Sequence, residues 1–348
     1  MEVVNLRKLK EEVPFDQFSR QYVVLSVLSE LRIKGEKRFT ILDVGGYKGR
    51  TAEFLSGDSV TVLDLYDAPD ENYVKGNALD MDFPAKSFDF VVSFDVLEHI
   101  PADKRERFFD ECSRVARQGV IICAPQKTVA NQYAESSLNG LYMKLHHEPH
   151  QWLREHIEFG IPDFDNLESY ARKNGMATIR FPSNKVQLWT AMQDAIFINS
   201  KYPLAAQKLV DINKFYNEHF YFDGGGAEVA AYRLILCSFW DIAKADKLRR
   251  KSEVWNGQID PDLEVQLYEK LADFSYTLVQ KTDALAADYK GLYEQEKAIG
   301  EQLHAENARL EQELRRARDE LSRTLDRRLK GLIQRKGGDS GTHEKISK

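Results

Sequence analysis

Apolar and polar residues along the first 250 positions follow two alternating periodicities. Phe18, Tyr22, Leu25 and Leu28 fall at helical spacing, whereas short continuous apolar runs elsewhere are typical of buried strands. Because strand-like runs alternate with helix-like segments, the order predicts an α/β fold with a parallel, doubly wound sheet. The pattern predicts helices at 15–31, 51–55, 102–116 and 167–174, and strands at 39–44, 60–65, 88–94, 120–124, 177–181 and 232–240.

The last third of the chain has a different pattern, in which apolar residues recur every seven positions. Leu285, Leu292 and Ile299 belong to this heptad series, and a four-residue step to Leu303 shifts its phase as a stutter does. The series predicts a coiled-coil helix over 262–335, through which the chain would form a homo-oligomer. A long solvated helix that packs on its own domain is the alternative.

The composition is that of a folded protein with a sizeable core. Hydrophobic residues make up 43% of the 348 residues, which excludes a wholly disordered chain, and the length allows two or three domains. A net charge of −6 argues against a nucleic-acid partner. Three widely spaced cysteines, with no signal sequence and no long apolar stretch, predict a soluble protein in the cytoplasm.

Positive charge is concentrated near the C-terminus. Residues 315–336 contain nine Lys and Arg against three acidic residues. A basic helix of this kind can bind the anionic inner face of a membrane or a partner in an assembly complex, and the charged exterior of a coiled coil is the alternative. Residues 336–348 are rich in Gly, Ser and charge and predict a disordered tail.

The most informative segment is Ile41-Leu-Asp-Val-Gly-Gly-Tyr-Lys-Gly49, in which a buried strand leads through glycines into a helix. Glycines allow the close approach of a ligand, and a helix N-terminus favours an electron-rich group such as a carboxylate. Asp43 can accept a hydrogen bond from a ligand ammonium or order the turn. Asp64, at the end of the next strand, suits a pair of ribose hydroxyls.

The same turn argues against two other nucleotide sites. A dinucleotide turn requires glycine where Tyr47 and Arg50 stand, and a phosphate-binding Walker turn requires lysine at Arg50. A ligand with a ribose and a carboxylate but no phosphate fits better. S-adenosylmethionine is such a ligand.

Three segments, ILDVGGYKG, VTVLDL and GNALDMDFPAKSFDFVVSFDVLEHIP, resemble the cofactor-binding loops of class I S-adenosylmethionine-dependent methyltransferases in order and spacing. The resemblance implies a Rossmann-like, doubly wound, mostly parallel seven-stranded sheet within residues 1–250, with S-adenosyl-L-methionine as cofactor. Tyr47, where glycine is common, and Asn77, where Asp is common, depart from the family pattern. By resemblance the methionine side is bound by Asp43, Gly45, Gly46 and Gly49, the ribose and adenine by Asp64, Leu65, Asn77 and Ala78, and Phe94 and Asp95 lie beneath the sulfonium.

Residues 147–163 (HEPHQWLREHIEFGIPD) and 214–221 (KFYNEHFY) resemble a bacterial subgroup often found among genes for surface-polysaccharide and O-antigen assembly. This resemblance implies a sugar hydroxyl of a glycan or glycan precursor as the methyl acceptor. A sugar hydroxyl is a poor nucleophile and needs a general base. The insert at 125–163, which follows a predicted strand at the edge where α/β sheets bind ligands, contains four of the eight histidines.

The candidate bases are His150 and His156 in this insert and His99 near the cofactor loops. Each has a structural alternative, since His99 can cap a helix or bond a backbone carbonyl. Closely spaced His and Glu also resemble a metal-ligand set, but there is no HExxH motif, and we expect no metal. Trp152 is a candidate for stacking on a sugar, and Trp189 is expected in the core.

Three functions stay open at this point. The first is O-methylation of a glycan hydroxyl, which the sequence favours. A small-metabolite methyltransferase has less need of a basic coiled-coil tail, and a non-catalytic scaffold has no physical need of Asp43, Gly45, Gly49 and Asp64. A nucleic-acid methyltransferase is disfavoured because the predicted fourth strand is not followed by an Asn- or Asp-Pro-Pro-Tyr sequence.

Overall fold

The computed structural model describes residues 6–33, 38–47, 49–68, 71–220, 228–255 and 260–336. The chain divides into two compact units, Met1–Val279 and Gln280–Lys348. The predicted disordered tail lies outside the described residues, apart from Lys336. Among the helices of the described residues, none is long and apolar enough to cross a membrane.

The first unit is built around one sheet of seven strands. The strands are β1 (Thr40–Val44), β2 (Ser59–Asp64), β3 (Tyr73–Lys75), β4 (Phe88–Phe94), β5 (Ala116–Pro125), β6 (Ala177–Lys185) and β7 (Ala231–Phe239). They lie in the order β3-β2-β1-β4-β5-β7-β6, and β7 runs antiparallel to both β5 and β6 while the other pairs are parallel. The predicted Rossmann-like, doubly wound, mostly parallel sheet is confirmed.

Helices occupy most of the chain between and after the strands. They are α1 (Leu6–Glu12), α2 (Phe15–Leu31), α3 (Thr51–Phe54), α4 (Arg105–Val115), α5 (Val129–His146), α6 (Gln151–Phe159), α7 (Phe164–Lys173), α8 (Val186–Lys201), α9 (Ala206–His219), α10 (Ile242–Trp255) and α11 (Pro261–Lys336). The helix predicted at 15–31 has the predicted bounds. Six helices were not predicted, namely α1, α5, α6, α8, α9 and α10. In α5 and α8 the apolar positions are spread around the helix and do not form one stripe.

Both faces of the sheet are covered, as a parallel sheet requires. Successive strand residues point to opposite faces, so that Ile41 packs with α2 and α10, whereas Leu42 and Val44 pack with α4 and α7. Burial on both sides explains why these strands read as continuous apolar runs. The arrangement leaves the carboxyl ends of β1 and β4 side by side.

A third cluster of apolar residues lies beneath α5, α8 and α9 and includes the first part of α11. Leu267 and Phe274 are fully buried there, and Leu271 and Leu278 are partly buried against the same cluster. The first leucines of the heptad series therefore pack on their own domain. This part of α11 belongs to the unit that ends at Val279, beyond the residue 250 at which the sequence pattern ends the methyltransferase domain.

In the second unit, the described residues continue α11 as far as Lys336. The apolar side chains of its heptad series are exposed, with Leu292, Leu303 and Leu310 each more than half accessible. The single helix is thus present, and the coiled coil and the oligomer stay predictions.

Candidate functional site

The glycine turn lies at the switch point of the sheet, where β2 and β4 flank β1 on opposite sides. Gly45 has a φ of 79°, and a Cβ on this residue would overlap Cγ2 of Val96, two residues after β4. A Cβ on Gly46 would overlap the carboxylate of Asp43. Only glycine permits this close approach of the turn to the loop after β4.

Asp43 lies buried beneath the glycine turn. Burial raises the pKa of Asp43 to about 6, although a hydrogen bond from the Thr51 side chain and the positive charge of Arg20 oppose the shift. Because the charged form of a buried carboxyl group is costly, this position suits a ligand that brings a cation or an N–H group.

Asp64 is positioned by the backbone on either side of it. The N–H of Tyr47 donates to its Oδ2 at 3.1 Å, and the N–H of Tyr66 donates to its Oδ1 at 3.2 Å. Each oxygen retains capacity to accept a further hydrogen bond. The ring of Tyr47 packs against Tyr66 and Tyr73, with centroids 5.1 and 6.2 Å apart. The tyrosine at the family's glycine position therefore adds an aromatic surface beside Asp64.

The other residues of the adenine side lie on the next loop. Oδ1 of Asn77 accepts the N–H of Leu79 at 2.9 Å, which orients the amide NH₂ group away from that bond. An amide NH₂ can donate to an acceptor on the edge of an adenine, where the more common Asp would accept. Leu65 and Asn77 are exposed and Ala78 is partly buried. Gly49 is exposed at the start of α3, and Phe94 is buried at the end of β4.

Asp95 is held in a buried ion-pair network. Arg233 donates to both of its carboxylate oxygens at 2.7 and 2.6 Å and also pairs with Asp16 at 2.7 Å. Arg20 donates to one oxygen of the same carboxylate. Burial alone would raise the pKa of Asp95, but the two guanidiniums hold it well below its usual range. The position of Asp95 beneath the sulfonium stays a prediction. In that position its carboxylate would already be paired with Arg233 and Arg20.

Two residues of this network, Arg233 and Arg20, are not among the predicted site residues. Arg233 is 2% exposed and interrupts the otherwise apolar strand β7. A single charged residue in a strand that is buried on both faces is a usable signal for a buried ion pair. Arg20 gave no such signal, because charged residues are common along a helix.

A second group of polar side chains follows directly after the network. The 3-10 turn Leu97–His99 brings Glu98 and His99 beside His156 of α6. The rings of His99 and His156 have centroids 4.8 Å apart, and Nε2 of His156 is 3.9 Å from Oε1 of Glu98. Glu98, His99 and His156 are called the imidazole cluster below. Val96, which precedes the cluster in the same loop, contacts Gly45. The cluster therefore lies close to the predicted cofactor turn.

A carboxylate orients each imidazole of the cluster. Nδ1 of His99 is 2.8 Å from Oε2 of Glu155, and Nδ1 of His156 is 3.0 Å from Oε1 of Glu135. The Tyr232 hydroxyl donates to the same oxygen of Glu135 at 2.9 Å. When Nδ1 donates its hydrogen to a carboxylate, Nε2 of the neutral ring keeps a lone pair. Glu135 lies on an unpredicted helix, and no motif in the sequence marks it as a site residue.

Burial dominates the electrostatics of the cluster. It raises the pKa of Glu98 to about 8, and it lowers the pKa of His99 together with the charge of His156. Burial would also lower the pKa of His156, but the hydrogen bond to Glu135 and the charge of Glu98 raise it. The pKa values of all three groups of the cluster are therefore shifted by burial and by their neighbours, as is common at acid–base sites.

The third candidate base, His150, lies in different surroundings. Its ring packs against Tyr142 and Phe197, with centroids 4.8 and 5.0 Å apart, and burial lowers its pKa. Of the three predicted bases, the structure therefore brings His99 and His156 together and places His150 among aromatic rings.

The two tryptophans of the prediction have different environments. Trp152 is 47% exposed, and its ring lies edge-on to His99 with centroids 5.2 Å apart. Trp189 is buried and stacks on Tyr232, which confirms its place in the core. The exposed ring of Trp152 and the neighbouring imidazole of His99 therefore form a surface that a methyl acceptor could contact.

Residues 42–124 match the protein family described as "Methyltransferase domain". The matched range includes the glycine turn, Asp64 and the loop that carries Asp95, Glu98 and His99. This range of the chain is similar to a methyltransferase domain, and S-adenosylmethionine stays the predicted cofactor. No curated protein has a sequence that matches this chain.

Solved structures similar to this chain include a magnesium protoporphyrin IX methyltransferase from Synechocystis PCC 6803 with bound SAH, at 13% identity over 64% of this chain and 84% of that chain, with a TM-score of 0.38. A SAM dependent methyltransferase from Archaeoglobus fulgidus is 14% identical over 63% of this chain and 94% of its own, with a TM-score of 0.36. A SAM dependent methyltransferase from Aquifex aeolicus is 13% identical over 68% and 97%, with a TM-score of 0.36.

Replacing Arg233 tests the buried network. Arg233→Gln leaves the partly buried Asp95 and Asp16 with Arg20 as their remaining cation among the described residues, so the free energy of unfolding should fall by about 3 kcal/mol in chemical denaturation. Arg117→Gln is the matched control, since Arg117 pairs with Asp89 at 2.6 Å but is half exposed, and its loss should cost less than about 1 kcal/mol. Equal small losses for both variants would contradict a buried network.

Replacing Asp64 tests the cofactor site. Asp64→Ala removes the acceptor for the ribose hydroxyls and should weaken S-adenosylmethionine binding about 10- to 100-fold in titration calorimetry. Asp67→Ala, a nearby exposed carboxylate, should bind as the unchanged chain does, and NAD should not bind. Unchanged affinity in Asp64→Ala would remove this residue from the site.

Proposed function

We propose that the protein transfers a methyl group from S-adenosylmethionine to a hydroxyl of a glycan or glycan precursor. The observation that carries the proposal is the exposed Trp152 beside His99, whose ring is oriented by Glu155. The face of an indole ring packs well on the C–H face of a sugar, and a neighbouring imidazole can reach a hydroxyl of the same sugar.

The cofactor would be held by the residues of the glycine turn and of β2. The buried carboxylate of Asp43 suits the ammonium of the methionine part, and the close approach at Gly45 leaves no side chain between the turn and the ligand. The free acceptor capacity of Asp64 suits the ribose hydroxyls, and the amide of Asn77 suits the adenine edge.

The cofactor supplies an electrophilic methyl group, so the chain's own residues have two tasks. They align the acceptor, and they remove the proton of its hydroxyl. His99 is suited to removing the proton because its lowered pKa favours the neutral ring. Its Nδ1 faces Glu155, so the free Nε2 lies on the opposite side of the ring. The Asp95 network holds the loop on which His99 lies.

A methyl-transfer assay with labelled S-adenosylmethionine tests the acceptor class. We expect label to enter nucleotide sugars, lipid-linked glycans or polysaccharide, and not small amines or catechols. Trp152→Ala should raise KM for the sugar acceptor about tenfold by removing the packing surface, which corresponds to about 1.4 kcal/mol. Trp240→Ala is the matched control, because Trp240 is similarly exposed at 43% and lies at the end of β7.

The outcomes of this assay separate the open functions. Transfer to small metabolites alone, with no effect of Trp152→Ala, would favour a small-metabolite methyltransferase. Cofactor binding without transfer to any acceptor class would favour a scaffold. Either result would contradict the glycan proposal.

The exposed seam of α11 supports self-association as a further part of the proposal. Leu303 and Leu310 are each more than half exposed, and the heptad spacing would bury them against a second copy. We infer that the chain is a cytoplasmic homo-oligomer and that the basic residues 315–336 contact an anionic membrane face or an assembly partner.

Light scattering tests the seam directly. The double variant Leu303→Lys with Leu310→Lys should have fewer subunits than the unchanged chain, because charges at seam positions are not tolerated against a partner helix. Glu294→Lys, which adds charge off the seam, should keep the subunit number. A monomeric unchanged chain, or an unaltered subunit number in the double variant, would exclude a coiled-coil oligomer.

A further inference from the structure

The imidazole cluster contains a buried carboxyl group whose nearby cationic partner, among the described residues, is a histidine. Glu98 is fully buried, and no side chain in the part of the chain that the structure describes donates a hydrogen bond to either of its oxygens. The N–H of its own backbone approaches the carboxylate. Asp95, three residues earlier, is paired with two arginines, whereas the only cationic side chain within 4.0 Å of Glu98 is His156 among the described residues. A buried, unpaired carboxylate is costly unless something positive occupies the space beside it.

Both histidines of the cluster have a carboxylate beside Nδ1 and a free Nε2, an arrangement that is common among histidines that bind metals. Each Nδ1 faces a carboxylate, Glu155 for His99 and Glu135 for His156, which directs Nε2 to the opposite side. Metal-bound histidines almost always donate their other ring N–H to such a partner, which fixes the ring and raises its basicity. The unpartnered, buried Nε2 of His156 adds a second free ligand atom to the carboxylate of Glu98.

We propose that Glu98, His99 and His156 bind one divalent transition-metal ion. Their ligating atoms lie within 4.8 Å of one another. Ligands at about 2.1 Å from an ion lie roughly 3.0–3.5 Å apart, so a contraction of about 1 Å closes the site. Two imidazoles and one carboxylate suit Zn²⁺, Mn²⁺, Fe²⁺ or Co²⁺, and three protein ligands leave positions open for an exchangeable group.

This inference replaces the expectation of no metal. That expectation rested on the absence of HExxH, in which both histidines lie on one helix. Here one histidine and the carboxylate lie on the 3-10 turn after β4, and the other histidine lies on α6. A ligand set divided between distant segments leaves no local motif.

The position of the site suggests what its open face would hold. Glu98 and His156 are buried, but the side chain of His99 is 21% exposed and lies beside the exposed Trp152. The open coordination positions would therefore face the proposed acceptor. A hydroxyl bound to a divalent ion loses its proton more readily, as metal-bound water does.

The role of the ion rests on the proposed function. With the ion bound, Nε2 of His99 is a ligand and no longer the base, so the proton of the acceptor O–H bond passes to water as that bond breaks. The oxygen forms a bond to the methyl carbon while the carbon–sulfur bond breaks. The electron pair of the carbon–sulfur bond stays on sulfur. The ion neither gains nor loses electrons in this step. It holds the oxygen and stabilises the developing negative charge.

Metal binding is tested without cofactor or acceptor. The full chain, freed of metal with a chelator, is titrated with Co²⁺, and binding is followed by visible absorption and calorimetry. We expect one ion per chain, absorption bands typical of nitrogen and oxygen ligands, and displacement by Zn²⁺. No binding of Co²⁺, Mn²⁺ or Zn²⁺ by the folded chain would overturn the proposal.

Four variants locate the ion. Glu98→Gln and His99→Ala should bind Co²⁺ at least about 100-fold more weakly, and Glu155→Gln, which loses only the orienting carboxylate, about 10- to 100-fold more weakly. His304→Ala, an exposed histidine on α11, should bind as the unchanged chain does. Glu98→Gln keeps the shape of the side chain and an oxygen that can still accept from the backbone N–H, and circular dichroism should show it folded. Unchanged Co²⁺ affinity in both Glu98→Gln and His99→Ala would overturn the site.

The metal proposal and the function proposal fail separately. Binding of Co²⁺ with the expected variant pattern but no transfer to sugars leaves the site standing and removes the glycan acceptor. Transfer to sugars that is unaffected by chelation, in a chain that binds no ion, leaves the function standing and removes the metal.

Discussion

The buried pairing of Asp95 with Arg233 and Arg20 is the constraint on which the arrangement of the site depends. It joins the first long helix, the end of β4 and the antiparallel strand β7, three elements far apart in the sequence. Asp95 itself has a φ of 51°, a conformation that non-glycine residues adopt only when their surroundings enforce it. The chain turns here, so the next residue, Val96, packs against Gly45 and the cluster follows immediately. The network acts together with Arg105, which donates to the carbonyls of Leu97 and Ile100, to hold this loop in place.

Two carboxyl groups three residues apart thus have opposite environments. Arginines hold the pKa of Asp95 well below its usual range, whereas burial raises the pKa of Glu98 to about 8. Environments that separate the proton affinities of neighbouring acids often mark a division of roles. In this protein the paired carboxylate fixes the backbone, and the unpaired one is available for chemistry or for an ion.

Local patterns were sufficient to predict the parts of the structure that local physics determines. The helix at 15–31, the strand at 88–94 and the glycine turn follow from periodicity and from the conformational freedom of glycine. Contacts between distant segments left no comparable signal. His156 contacts His99 only because α5 and α6 fold back over the strand ends. Glu135, which hydrogen-bonds to His156, lies on α5, whose apolar residues form no clear stripe in the sequence. The heptad series was likewise ambiguous, since Leu271 and Leu278 serve an intramolecular core with the same spacing that a coiled coil uses.

The chemical shift of the transferred methyl carbon tests the assignment of an oxygen acceptor most directly. S-adenosylmethionine labelled with ¹³C in its methyl group would be incubated with the full chain and a mixture of nucleotide sugars, glycan intermediates and small metabolites. A proton–carbon correlation spectrum then separates methyl groups bound to oxygen, nitrogen, carbon and sulfur. The account predicts a new signal from a methyl group on a sugar oxygen. A signal from an N-methyl or C-methyl product, with no O-methyl signal, would contradict it.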